Sequence, residues 1–273
     1  MPCNPPSPFP TTVATLVDHV RQRGASIFVG LPCYGCKLTT TCVTSILRFQ
    51  AFCITHKIKV IFDIMGNESL ITRGRSIIAQ RFLQSDATHL LFIDSDISFD
   101  PVSVLRMIAF DGDVTAGIYA KKGLSWDNIA KASKTTPEDL RDAGLQYNIN
   151  LPPGEGSHTV TNGFLRVLDA ATGFFCIKRS TLETIRDATP GITAINDIPG
   201  SRDTVKEYPV FFDTSIDNQS KRYLSEDYHF CRLVQKNKMD VYVDITASVS
   251  HTGSIQYDGD VRDRVSMRYR NDA

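Results

Sequence analysis

His89-Leu90-Leu91-Phe92-Ile93-Asp94-Ser95-Asp96 decides how this chain is read. Apolar residues run without alternation from Leu90 to Ile93, the pattern of a short strand buried on both faces, as in a parallel sheet. Polarity then flips. Two carboxylates flank a serine, and Asp100-Pro101 follows as a helix start, with Asp as cap and Pro in the first turn. The acids therefore lie in the loop beyond the carboxyl end of a strand, where open α/β sheets place their ligands. Two close carboxylates repel each other and lose hydration. A divalent cation removes both problems, and hard oxygen ligands suit Mg²⁺ or Mn²⁺.

Working outward, strand and helix patterns alternate. Ser26–Leu31 reads as the first core strand, ended by the turn Pro32-Cys33-Tyr34-Gly35. A helix is expected over Thr39–His56, a strand over Lys59–Met65, a loop at Gly66-Asn67-Glu68-Ser69 and a helix over Thr72–Gln84 that carries Arg73, Arg75 and Arg81. After the Leu90–Ile93 strand come a helix over Pro101–Phe110 and a strand over Asp113–Ala120. Such alternation predicts parallel strands joined by right-handed crossovers. The loops at 32–35, 66–68 and 94–96 then share one sheet edge and converge on one crevice. Thr12–Arg23 reads as a short helix ended by Gly24, preceded by a Pro-rich start.

Residues 121–159 break the rhythm and read as a long surface excursion, carrying Lys121-Lys122 and the single tryptophan, Trp126. Val160–Asp169 has room for one strand, and Ala171–Ile177 reads as another. Ser180-Thr181-Leu182-Glu183 is a capping-box sequence opening a helix to about Asp187. Residues 189–222 read as irregular. Ser225-Glu226-Asp227-Tyr228 opens a helix to about Lys236, with Ser225 as its cap and two acids at its positive end. Val241–Ile245 is a strand, followed by Ser250-His251-Thr252-Gly253 and a polar tail. The expected organisation is an N-terminal segment (1–25), a first half (26–120), a second half (121–253) and a C-terminal tail (254–273).

Composition sets limits. Lys+Arg and Asp+Glu are both 30 in 273 residues, so no global basic field argues for nucleic acid or an anionic membrane. No apolar run approaches the roughly 18–20 residues of a membrane span, and the start does not read as a signal peptide; a cytoplasmic protein is expected. The 7 cysteines are an odd number in a chain too long to need disulfide staples. Cys33 and Cys36 form a C-x-x-C, but Cys42 and Cys53 lack the paired spacing of a zinc ribbon. Reduced, mostly buried thiols are expected.

Taken together over roughly 26–253, the order of these features resembles the GT-A fold glycosyltransferases, which use a nucleotide-sugar donor and a DXD motif. Asp94-Ser95-Asp96 matches that motif. Thr172-Gly173-Phe174-Phe175 resembles the segment lining the acceptor side, and Ser225-Glu226-Asp227 the downstream acidic motif. His251 sits where such families place a further metal ligand. Asn67, Glu68, Arg73 and Arg75 resemble a pattern in bacterial and large-virus members. The resemblance implies a mixed, mostly parallel α/β sheet flanked by helices.

It also implies a division of labour. Asp96 would ligate Mn²⁺ (or Mg²⁺), with Asp94 reaching the metal or the ribose and His251 adding a nitrogen that favours Mn²⁺. Asp227, or alternatively Glu226, would take the acceptor proton as general base. Pro32 and Tyr34 would hold the nucleobase, with Asn67 and Arg75 bonding base or ribose edges and Ser95 and Lys122 completing the donor contacts. Gly173, Phe174 and Trp126 would face the acceptor, a hydroxyl of a glycan or protein. UDP-sugars are the first expectation for the donor and GDP-sugars the next. Arg73 and Arg81 read instead as ion-pair residues. Two other classes compete. A haloacid-dehalogenase-type phosphatase shares the strand-Asp-X-Asp motif, but it needs Thr or Val where this chain has Ser98. A non-catalytic nucleotide- or sugar-binding module would keep the fold without the chemistry.

Overall fold

The computed structural model describes residues 9–132, 136–152, 159–197 and 205–254. In chain order its elements are α1 (Val13–Gln22), β1 (Ser26–Cys33), α2 (Thr40–Thr55), β2 (Lys59–Gly66), α3 (Ile71–Gln84), β3 (His89–Ile93), β4 (Ile97–Phe99), α4 (Pro101–Phe110) and β5 (Val114–Gly117). There follow α5 (Trp126–Lys131), α6 (Pro137–Gly144), β6 (Ile149–Asn150), β7 (Val160–Thr161), β8 (Phe164–Val167), β9 (Asp169–Ala170), β10 (Phe174–Lys178) and α7 (Arg179–Ala188). The chain closes with β11 (Thr193–Ile195), β12 (Glu207–Pro209), β13 (Ser215–Ile216), β14 (Tyr223–Leu224), α8 (Glu226–Lys236), β15 (Val241–Asp244) and β16 (Val249–His251).

An eight-stranded mixed sheet in the order β2-β1-β3-β10-β5-β15-β8-β7 forms the centre. β2, β1 and β3 pair in parallel, as do β5 and β15. β10 and β8 run against the other strands. Alternate residues of β1 feed two cores, as the period of a strand requires. Ile27, Val29 and Leu31 face α1, α2 and α4, where Phe49 and Leu105 are buried. Phe28 faces the other side, with Phe82 of α3, Leu182 of α7 and Phe230 of α8. No helix among the described residues is long and apolar enough to cross a membrane.

Several expectations are corrected. The strands of 26–120 that enter the large sheet, β1, β2, β3 and β5, share one direction as expected, but β10 slots between β3 and β5 against them. The strand after α4 is only four residues long and ends at Gly117. A Cβ there would lie 2.7 Å from a Phe174 ring carbon, so the close approach needs glycine. The 121–159 excursion is not structureless. Ser125 caps α5, and Thr136 caps α6 with Pro137 in the first turn. Its feet meet at an Ala120–Tyr147 bridge and a 2.7 Å bond from the Lys121 amide to the Gln146 carbonyl. Val160–Asp169 holds a hairpin rather than one strand. Asn162 and Gly163 turn it at φ 56° and 88°, the left-handed pair of a tight hairpin. Ser180 does not cap α7, which starts at Arg179 with no side-chain cap bond. Ser225 stands at the cap position of α8, but its hydroxyl bonds Asp227 instead of an amide. Short antiparallel pairs, β11–β12 and β13–β14, occupy part of 189–222.

Candidate functional site

The acidic loop is built by its neighbours. After β3 the Asp94 amide donates to the Gly173 carbonyl at 2.9 Å, and the Ile97 amide turns back to the Asp94 carbonyl at 3.1 Å. Buried Ile97 and Phe99 then anchor β4, which pairs antiparallel with β16 so that Ile97 lies opposite His251. The Thr252 amide donates to the Asp96 carbonyl and the Thr39 amide to the Ser95 carbonyl, each at 2.9 Å. Three separate segments thus fix one loop, and one of them brings His251 beside it.

Asp94 and Asp96 have different partners. Arg75 Nη2 donates to Asp94 Oδ1 at 2.8 Å, and Arg75 Nε to Glu226 Oε1 at 3.4 Å. Arg75 is 3% exposed, and its third nitrogen, Nη1, is buried without a partner among the described residues. Burial pulls its pKa down, but Asp94 and Glu226 more than offset this and keep the guanidinium charged. Arg75 therefore lies beneath the acids as a bridge between β3 and α8, not at the base or ribose edges expected of it. The remaining Asp94 oxygen faces Gly173, where a Cβ would come within 3.0 Å of it.

Asp96 lies between two nitrogens. Lys122 pairs with Oδ2, and His251 Nε2 is 3.4 Å from Oδ1. His251 Nδ1 is 2.9 Å from the Ala120 carbonyl, which can only accept. In the neutral ring the hydrogen is therefore on Nδ1, and Nε2 turns a bare lone pair towards a carboxylate oxygen. In that state the two acceptors face each other, an arrangement a cation can bridge. Asp96 and His251 thus fit a divalent ion as an oxygen and a nitrogen donor. Arg75 holds Asp94 through Oδ1, so its other oxygen is the one that could face an ion. Among the described residues no group of three or more His, Cys, Asp or Glu converges as a metal cluster.

The first turn of α8 supplies Glu226 and Asp227. Asp227 Oδ1 accepts from the Ser225 hydroxyl and, at 2.8 Å, from the Tyr228 amide. Burial pushes its carboxyl above the usual aspartate range and Glu226 adds to this, while the Ser225 and Tyr228 bonds and Arg75 pull the other way. A carboxylate of raised basicity is better suited to accept a proton than an ordinary aspartate.

Other expected residues scatter. Pro32 is buried at the end of β1, and Tyr34 beyond it is 76% exposed. Asn67 is exposed in the left-handed region at φ 60°, its amide bonded to the Cys33 carbonyl at 3.2 Å. Trp126 on α5 is 72% exposed. Phe174 is 0% exposed and packs its ring 5.1 Å from Phe99, so it is a core residue and not an acceptor contact. Arg73 pairs with Glu68 and Arg81 with Asp63, as ion-pair residues do. Cys33, Cys42 and Cys53 are free and buried, and burial pushes their thiols up to about 11, 12 and 12.

Sequence reasoning missed one group. Tyr119, two residues beyond β5, accepts from the Gly173 amide at 2.9 Å and sets its ring edge-on to His251 at 5.2 Å. Thr172 Oγ1, in the segment the sequence singled out, is buried beside them and has no partner among the described residues. Position at a strand end on the shared edge was the available signal. A cleft of 530 Å³ opens beside His251, lined by Tyr119, Tyr147, Ile149, Ile245 and Val249. That is the size of a small-ligand pocket.

No protein-family model matches the sequence, and no curated protein matches it. Glycosyltransferases stand among the solved structures of similar fold. A197 from STIV shares 17% identity at a TM-score of 0.44, over 84% of this chain and 86% of that one. S. aureus TarS 1-349 in complex with UDP-GlcNAc shares 13% at 0.44, over 85% of this chain and 60% of that one. GalNAc-T7 with UDP, GalNAc and Mn²⁺ shares 11% at 0.43, over 85% of this chain and 44% of that one. The chain thus spans less than two thirds of the length of the last two.

Proposed function

We propose that this protein is a metal-dependent glycosyltransferase. It moves a sugar from a nucleoside-diphosphate sugar, UDP-linked in the first instance, to a hydroxyl of a glycan or protein acceptor. The observation that carries this reading is the gathering of Asp94, Asp96, Glu226, Asp227 and His251 at one sheet edge, tied by Arg75 and Lys122.

Each group then has a task. Asp96 and His251 hold the divalent ion, which when bound supplies Lewis-acid stabilisation of the departing diphosphate. Asp94, fixed by Arg75, presents its free oxygen to the ribose or the ion. Pro32, Tyr34, Asn67 and Ser95 border the nucleoside, and Tyr34 offers an exposed ring on which a base can stack. As the bond from the sugar's anomeric carbon to the phosphate oxygen breaks, a new bond forms to the acceptor oxygen, whose proton passes to Asp227. Glu226 is bonded to Arg75, which leaves Asp227 the better placed base. Asp94 is clamped by Arg75 on one oxygen, which disfavours its use as a phosphatase nucleophile.

The test is a thermal-shift panel of UDP, GDP, CMP and their sugar conjugates, with and without Mn²⁺. A ligand that binds only the native state raises the midpoint by mass action. One nucleotide diphosphate should raise it only with Mn²⁺, and the shift should vanish in Asp96→Ala. No shift with any nucleotide sinks the proposal.

A further inference from the structure

We propose that Lys122 is a tethered competitor for the divalent ion: its ammonium neutralises Asp96 in the resting site and is displaced when the ion settles between Asp96 and His251. The inference rests on the metal-dependent reading above and adds a residue to it.

The geometry points this way from several sides. The Lys122 ammonium already holds Asp96 Oδ2, while His251 Nε2 lies 3.4 Å from Oδ1. One oxygen of the main candidate ligand is therefore committed to a competing cation, with His251 beside the other. The lysine is aimed there by packing. Its stem lies on Gly253, where a Cβ would sit 3.1 Å from both Cγ and Cδ, so a larger residue at 253 would push the chain away. Its exit is also built in. The Lys122 side chain is 44% exposed, and Gly123 beside it sits at φ 142° with open space around its Cβ position. The lysine can swing to water without disturbing the Lys121–Gln146 bond behind it.

Charge balance shows why one lysine is not enough. Asp94, Asp96, Glu226 and Asp227 bring four carboxyls against two cations, Arg75 and Lys122. Arg75 is locked in the interior, so Lys122 is the cation that can leave. A divalent ion that takes its place on Asp96 leaves the ammonium nearby, free to meet the diphosphate that arrives with the donor.

The experiment is Mn²⁺ binding by water-proton relaxation at low ionic strength, with no nucleotide, on wild type, Lys122→Met, Lys122→Arg and Asp96→Asn. Lys122→Met should bind Mn²⁺ about threefold or more tighter than wild type, the size expected for losing an exposed ion pair. Lys122→Arg should stay near wild type, and added salt should narrow the gap, because screening weakens the pair. Equal or weaker binding by Lys122→Met overturns the competition. Asp96→Asn separates the two ideas. If it loses Mn²⁺ while Lys122→Met is unchanged, only the competitor role fails. If it binds Mn²⁺ like wild type, the ion lies elsewhere and the metal reading falls with the proposal.

Discussion

The two ends of β3 follow opposite electrostatic rules. At the His89 end the ions are closed. Arg179 donates to the carbonyls of Phe82, Leu83, Ser85 and Ala87 at 2.8–3.1 Å, stacks over the Phe82 ring at 4.6 Å and pairs with Glu183 at 3.6 Å. Asp111 takes both Arg23 and Lys178, and those bonds outweigh burial and hold its carboxyl below the usual range. At the Ile93 end the ions are open. Among the described residues acids outnumber cations there, Arg75 Nη1 and Thr172 Oγ1 have no partners, and Asp227 is pushed up. Buried polar groups are normally paired, so an unpaired set at one edge is a debt that a ligand can settle. The far end has an orphan too, His89 Nε2, but a histidine can shed its proton and stay neutral.

The comparison breaks most easily at Asp96. Asp96→Ala should lower kcat/KM for sugar transfer by about a hundredfold or more, the scale for losing an electrostatic stabiliser of the leaving group. Its stability should move by less than about 1 kcal/mol, since its Lys122 pair is partly exposed. Sugar release from a labelled donor measures the first and urea unfolding the second. Transfer at the wild-type rate removes the open edge from the chemistry. Asp227→Asn should also cost about a hundredfold in transfer, yet raise Tm near pH 7. The sign follows from the raised pKa. Such a carboxyl contributes full stability only below its unfolded value of 3.8, and that stability is lost as pH rises through the higher folded value. An Asn that lowers Tm at pH 7 would show that Asp227 is a structural group.

How much of this was legible differs by element. The β3 run and its acids declared themselves because polarity flips within one residue, and the helix-start acids at 226 and 227 because Ser225 precedes them. The Thr136-Pro137 cap and the Asn162-Gly163 turn were equally plain signals, passed over in favour of a loop and a single strand. The place of β10 was not legible, because its residues are apolar on both sides and its neighbours, β3 and β5, are fixed only by long-range pairing. Nor was the meeting of Asp96 with His251, which depends on two strands of three residues each, β4 and β16. Arg75 looked like a reaching side chain on an amphipathic helix. Only the packing of α3 under Asp94 turns it inward.

At the closed edge the largest expected effect is on folding. Arg179→Met removes a charged donor from four carbonyls at the end of α3 and should destabilise by about 3 kcal/mol. Tm should fall by roughly 6–12 °C. The Tm increment caused by the donor should survive, because nothing at the Ile93 end touches Arg179. A variant of normal stability that loses the donor shift would reverse the roles of the two edges.

The smallest effect at neutral pH is that of His89, which shows instead as a pH dependence. Burial first, then Lys178, lowers its pKa from 6.5 to about 4. The unfolded chain therefore takes up a proton as pH falls below 6.5, while the folded chain resists until about 4. Stability tied to neutral His89 is complete above 6.5 and drains away between those values, by about 3 kcal/mol. His89→Gln should keep the Thr88 hydroxyl within reach and leave Tm at pH 7.5 near wild type. It should also flatten the fall in Tm between pH 6.5 and 4. Asp227 has the opposite sign, losing stability as pH rises, so the double variant with Asp227→Asn should flatten both limbs. If His89→Gln keeps the full acid limb, the loss comes from the paired carboxylates at both edges, and the closed end holds its charges no more firmly than the open one.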